Sequence, residues 1–104
     1  MLGIIGDKRR WRSYKARVEA LPADHRTVAE ALERYLVQRG TVTTGDALVA
    51  MLVEVAERFE RAGDAPVREI VGTDAVGFAD GLLAKYGRRD AEQQRLVDAI
   101  AGVR

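Results

Sequence analysis

The stretch Thr43 to Gly63, TTGDALVAMLVEVAERFERAG, constrains the fold more than any other part of the chain. Leu48, Val49, Met51, Leu52, Val53, Val55, Ala56 and Phe59 leave only a narrow polar stripe, Glu54, Glu57, Arg58 and Arg61, at helical spacings of three and four. A helix that is apolar around most of its circumference must be covered by several neighbours. Within the stripe, Glu54 to Arg58 and Glu57 to Arg61 have the favourable order, acid four residues before base. Thr43 with Asp46 resembles a capping box, and Gly63 followed by Pro66 supplies the stop. The segment therefore reads as a central helix that the other segments must bury.

Those other segments read as helices too. Trp11, Tyr14, Val18 and Leu21 recur at steps of three, four and three, giving one narrow apolar stripe over residues 7–21 that Ile4 can extend. Leu21-Pro22 ends that helix, because the residue before proline is pushed out of the helical region, and Pro22 suits the first position of the next. Asp24 falls in the favourable first turn of a second helix over residues 22–39, with Val28, Ala29, Leu32, Tyr35 and Leu36 buried, Glu30 and Arg34 paired outside, and Gly40 as terminator. Short connections set consecutive helices side by side and antiparallel. After the central helix, at 44–62, the segment Pro66 to Val71 allows one or two helical turns. Thr73 then offers an N-cap for a last helix over 73–101. Ala79, Leu82, Tyr86, Arg89, Gln93, Leu96, Ile100 and Val103 keep alternating steps of three and four through it. Gly87 resembles a C-terminal cap, and Asp90 with Gln93 a fresh capping box, but the unbroken period favours one long helix whose weak point is Gly87. The expected fold is an all-α antiparallel bundle of four main helices in a single domain over residues 1–104, packed around Leu52, Val55 and Phe59.

Charge is distributed less evenly than its total suggests. The net charge is only +1, so no global field steers the chain toward nucleic acid or membrane. Yet Lys8, Arg9, Arg10, Arg12, Lys15 and Arg17 face only Asp7 across residues 7–17, while residues 54–80 hold seven acids against three bases. Lys8, Arg12 and Lys15 share one flank of the first helix, and Arg10 and Arg17 the other. The interleaved Trp11 and Tyr14 could stack on bases. Their spacing assigns them to the core instead, because without them the stripe could not hold the helix down. The cations then surround that stripe, some of them paired with acids such as Glu19. Lys8, Arg9, Arg12 and Lys15 are the candidate partner-binding residues.

No catalytic, cofactor or metal site is expected. The chain has no cysteine, which removes disulfides, thiolate ligands and cysteine nucleophiles together and fits a reducing compartment. His25 is the one histidine, with no second ligand at metal-binding spacing, and reads as structural or exposed. Ser13, the lone serine, sits among cations on a helix and lacks a base. The glycines lack the preceding strand and the spacing of a phosphate loop. The start, MLGIIGDKRRWR, is too short in apolar residues for a signal-peptide core, and no run reaches membrane-spanning length, so a cytoplasmic, membrane-free protein is expected.

The segments GDKRRWRSYKARVEALPADHR, ERYLVQRG and VGTDAVGFADGLLAKY together resemble, in order and spacing over the whole chain, a family of small bacterial helical proteins catalogued as domain of unknown function 1048 and often encoded beside PadR-type transcriptional regulators. The resemblance implies an antiparallel helical fold and a signalling role as partner of a winged-helix regulator, and brings no catalytic residues. A regulatory protein-interaction module is thus the expected function, with direct nucleic-acid binding through residues 7–17 as the alternative and homo-oligomerisation left open.

Overall fold

The computed structural model describes residues 2–39, 42 and 45–103, with side chains from Lys8 onward. Among these described residues five helices follow one another: α1 Leu2–Glu19, α2 Ala23–Arg39, α3 Gly45–Ala62, the short α4 Val67–Val71, and α5 Ala75–Ala101. No strand occurs among the described residues. The expected antiparallel all-α bundle is present, with α4 as the predicted extra turn between the third and last long helices.

Side-chain pairs give the directions. Arg10 meets Asp46 near the start of α3, and Arg17 meets Glu57 and Glu60 near its end, so α1 and α3 run the same way. His25, early in α2, lies against Phe59, late in α3, so α2 runs oppositely. Arg58 covers the Phe78 ring while Glu54 meets Lys85 and Tyr86, so α5 also opposes α3. One end of the bundle therefore collects the starts of α1 and α3, the end of α2, and the point where α5 leaves.

The core follows the apolar spacings of α1, α2, α3 and the first half of α5, except that Val28 and Tyr35 of α2 are only half-buried. Met51, Leu52, Val55, Ala56 and Phe59 of α3 have no exposed surface, and Tyr14, Val18, Ala29, Leu32, Leu36, Leu82 and Leu83 close around them. α3 packs against every other helix, which its broad apolar circumference requires. Trp11 is half-buried against the same cluster, its ring centre 5.6 Å from that of Tyr14, so both aromatics of the basic helix serve the core.

The helix ends differ from expectation in local ways. α1 is helical from Leu2 and stops at Glu19, two residues before the expected end. Pro22 precedes α2 rather than opening it, and its carbonyl accepts from Arg26 N at 2.8 Å. Asp74, not Thr73, caps α5. Its carboxylate accepts from Gly77 N at 2.9 Å, and a Cβ on residue 77 would collide with that carboxylate. Gly63 ends α3 at φ 63°, a left-handed conformation that favours glycine. The expected roles of Gly40 and Thr43 fall outside the described residues.

α5 is one continuous helix through Gly87, and Asp90, far from capping a new helix, is buried at the end of the bundle. Residues 91–103 are all exposed. This projection makes the molecule elongated, 54 × 29 × 22 Å. Its radius of gyration of 15.3 Å exceeds the ~13 Å of a compact chain this long.

Candidate partner-binding face

The cations of α1 divide by which neighbouring helix their flank faces. Lys15 turns to α2, where its Nζ lies 3.1 and 3.3 Å from the two carboxylate oxygens of Glu33 and 5.3 Å from the Trp11 ring centre. The buried Tyr14 hydroxyl donates to the same Glu33 at 2.9 Å. Burial and then this carboxylate push the Tyr14 hydroxyl well above the ordinary tyrosine range. On the other flank, Arg10 pairs with Asp46 and Arg17 with Glu60 through both Nε and Nη2. The bidentate bond raises Arg17 and lowers Glu60. Glu19 takes no part in these pairs, contrary to expectation. The acids that do so lie on α2 and α3, because α1 packs its flanks against those helices.

Lys8, Arg9 and Arg12 remain exposed, with no ion pair among the described residues. Of the four expected partner-binding residues, these three form a free basic face and Lys15 is engaged inside the fold. Ser13 is exposed and has no hydrogen-bonded base among the described residues.

Beside the free cations runs an open groove of about 550 Å³ between α1, α3 and α5. Arg9, Arg10, Ser13 and Arg17 form one wall, Ala50 and Val53 the floor, and Glu54, Glu57 and Tyr86 the other wall. Glu54 is the most heavily bonded side chain there, accepting from Tyr86 Oη at 2.6 Å, Lys85 Nζ at 2.8 Å and Arg58 Nη2 at 2.9 Å. Burial alone would raise its pKa and is the largest single influence. The three donors together outweigh it and hold the carboxyl at about 2. Burial and the same carboxylate push Tyr86 up to about 12. The sequence shows Glu54 and Glu57 as part of the polar stripe of α3 but does not show that they wall a groove. The α5 donors to Glu54 lie 31 and 32 residues away, beyond the reach of helical spacing.

His25 is buried, as a structural histidine would be. Its Nε2 lies 2.7 Å from the Ala65 carbonyl, joining α2 to the α3–α4 connection, and its ring packs edge-on against Phe59. No group of three or more metal-ligating side chains occurs among the described residues, and no helix among them is long and apolar enough to cross a membrane.

No curated relative and no solved structure matches the chain. A protein family does, over residues 2–101, nearly the entire length, in keeping with a resemblance carried by segments of α1, α2 and α5. The chain belongs to the family described as protein of unknown function DUF1048.

Proposed function

We propose that this protein is a non-enzymatic cytoplasmic interaction module that regulates a PadR-like transcription factor by binding an acidic surface on it. The observation that carries this reading is the free basic face of Lys8, Arg9 and Arg12 beside an open groove with a small apolar floor. Exposed cations without internal partners contribute little to folding, so their role lies in complementarity to something outside the chain. Arg9 belongs to both the face and the groove, so a partner that docks on the cations also meets Ala50 and Val53. Regulation follows if the partner's DNA-bound and free states bind this face unequally, since binding shifts an equilibrium only by its differential affinity. Duplex DNA is a less suitable occupant, because Arg10, Lys15 and Arg17 already neutralise carboxylates within the fold.

The test is co-purification with a PadR-like regulator from the same genome, with the wild-type chain and with the K8E/R9E/R12E variant. A complex that the triple reversal abolishes, together with a changed operator affinity of the regulator, is the expected result. Absence of a complex at micromolar concentration, or saturable binding of duplex DNA by the chain alone, would overturn the proposal.

A further inference from the structure

The groove between α1, α3 and α5 is dipolar along its length. Arg9, Ser13 and Arg17 follow one another at steps of four along α1, so they form one ridge, and the short Ser13 leaves a notch between two guanidinium groups. Ala50, Val53 and Glu57, at steps of three and four, form the ridge of α3 that lines the same groove. α1 and α3 run the same way, so Arg10 meets Asp46 at one end, and Arg17 meets Glu57 and Glu60 at the other. At the first end Arg9 and Arg10 have one carboxylate between them among the described residues, which leaves a positive charge unmatched. At the second end Glu57 and Glu60 share the one guanidinium of Arg17, which leaves a negative charge unmatched. That charge belongs to Glu57, because Arg17 binds Glu60 through two nitrogens and comes only within 4.0 Å of the Glu57 carboxylate. Arg61 bonds the Glu57 carbonyl and lies outside the groove lining. Glu54, on the remaining wall, is already held by three donors.

We infer that this groove binds a small zwitterion, with its carboxylate at Arg9 and the Ser13 hydroxyl, its ammonium at Glu57, and a flat apolar body on Ala50 and Val53. The three polar groups are exposed and spare: Arg9 and Ser13 have no side-chain partner among the described residues, and Glu57 has only the long contact to Arg17. A carboxylate can accept from a guanidinium and a hydroxyl at once, and its bond to the guanidinium is charge-assisted. Seven residues of α3 separate Ala50 from Glu57, so the two charges of the ligand stand up to about 10 Å apart. An α-amino acid, with both charges attached to one carbon, is too short to meet both ends. The cavity of about 550 Å³ falls within the roughly 300–1,000 Å³ of small-molecule sites. An anion without the ammonium matches only the Arg9 end, and a cation without the carboxylate matches only the Glu57 end. The inference stands apart from the regulator reading, because it concerns the chain alone and is tested without any partner.

The test is titration of the isotopically labelled full chain with para-(aminomethyl)benzoate, whose charges stand at opposite ends of a benzene ring, followed through backbone amide chemical shifts. Saturable shifts centred on Ser13, Ala50, Val53 and Glu57 are expected, with a dissociation constant on the order of 1 mM for so small a molecule in an open groove. The para-methylbenzoate anion and para-methylbenzylamine, which keep one charge each, should bind about tenfold more weakly. Arg9→Gln should reduce the zwitterion to the affinity of para-methylbenzylamine, and Glu57→Gln should reduce it to that of para-methylbenzoate. Both substitutions are at exposed positions, and this crossed pattern is one that a general loss of folding does not produce. Ala50→Leu, which fills the floor, should weaken all three probes. Absence of saturable shifts at several times the expected dissociation constant, shifts centred away from the groove, equal affinities for the three probes, or an equal effect of Arg9→Gln and Glu57→Gln on every probe would overturn the inference.

Discussion

The Tyr86 hydroxyl donates to Glu54 Oε1 at 2.6 Å and so fastens the middle of α5 to the centre of α3. Lys85 and Arg58 complete the shell around the same carboxylate. Beyond this point α5 makes its last buried contact at Asp90 and then runs free. The Glu54 cluster is therefore both a wall of the groove and the clamp that fixes where the tail begins.

Acid should loosen this clamp in a defined window. The folded-state pKa of Glu54, about 2, lies below its ordinary value of 4.5, so its stabilisation is fully present above about pH 5 and lost as pH falls toward 2. Glu60, lowered by its hydrogen bonds to Arg17, acts in the same direction. After solvent screening the Glu54 contribution is about 1–2 kcal/mol. Urea unfolding between pH 6 and pH 2 should show this loss, and E54Q should be less stable at pH 6 with a flatter pH dependence.

Leu52 has no exposed surface and lies at the centre of the cluster that α3 organises. Leu52→Ala should cost about 2–5 kcal/mol, through lost transfer energy and an unfilled cavity. An unchanged denaturant midpoint would contradict the central position of α3.

His25→Ala removes the hydrogen bond to the Ala65 carbonyl and the edge contact with Phe59. The expected cost is about 1–3 kcal/mol, since the carbonyl loses its partner in a partly buried place. Hydrogen exchange should speed up in the connection between α3 and α4 relative to the rest of α3. Uniform acceleration would mean that His25 is ordinary core packing.

The triple reversal K8E/R9E/R12E should change stability by no more than about 0.5 kcal/mol, because none of the three has an ion-pair partner among the described residues. By contrast, Lys15→Ala deprives the half-buried Glu33 of its cation and should be measurably destabilising. If the three free cations instead bound duplex DNA, log affinity would fall against log salt with a slope of roughly −2 to −3. Titration of a labelled duplex at low salt is expected to show no saturable binding.

The sequence by itself determined the number of long helices, the central place of α3 and the core role of Trp11 and Tyr14. Each of these follows from the local period of apolar side chains, and burial on one helix face is a property that spacing encodes directly. It also placed Lys15 and Arg17 on opposite flanks of α1, which is why one reaches Glu33 on α2 and the other Glu60 on α3. The tertiary structure alone decided which carboxylates those were, since the partners lie 18 and 43 residues away, and local propensity carries no term for contacts at that range. Local pairing was overridden for a related reason. Glu54 does bond Arg58 within α3, but Glu30 and Arg34 form no ion pair, and Arg61 reaches the Glu57 carbonyl rather than its carboxylate. An exposed pair of this kind gains only about 0.2–0.5 kcal/mol, too little to fix two long side chains without help from a neighbouring helix. The tail of α5 marks the same limit. Its spacing of three and four is identical whether the face is buried or bare, and only the length of the bundle, set by where α1 and α3 begin and α2 ends, leaves Leu96 and Ile100 exposed.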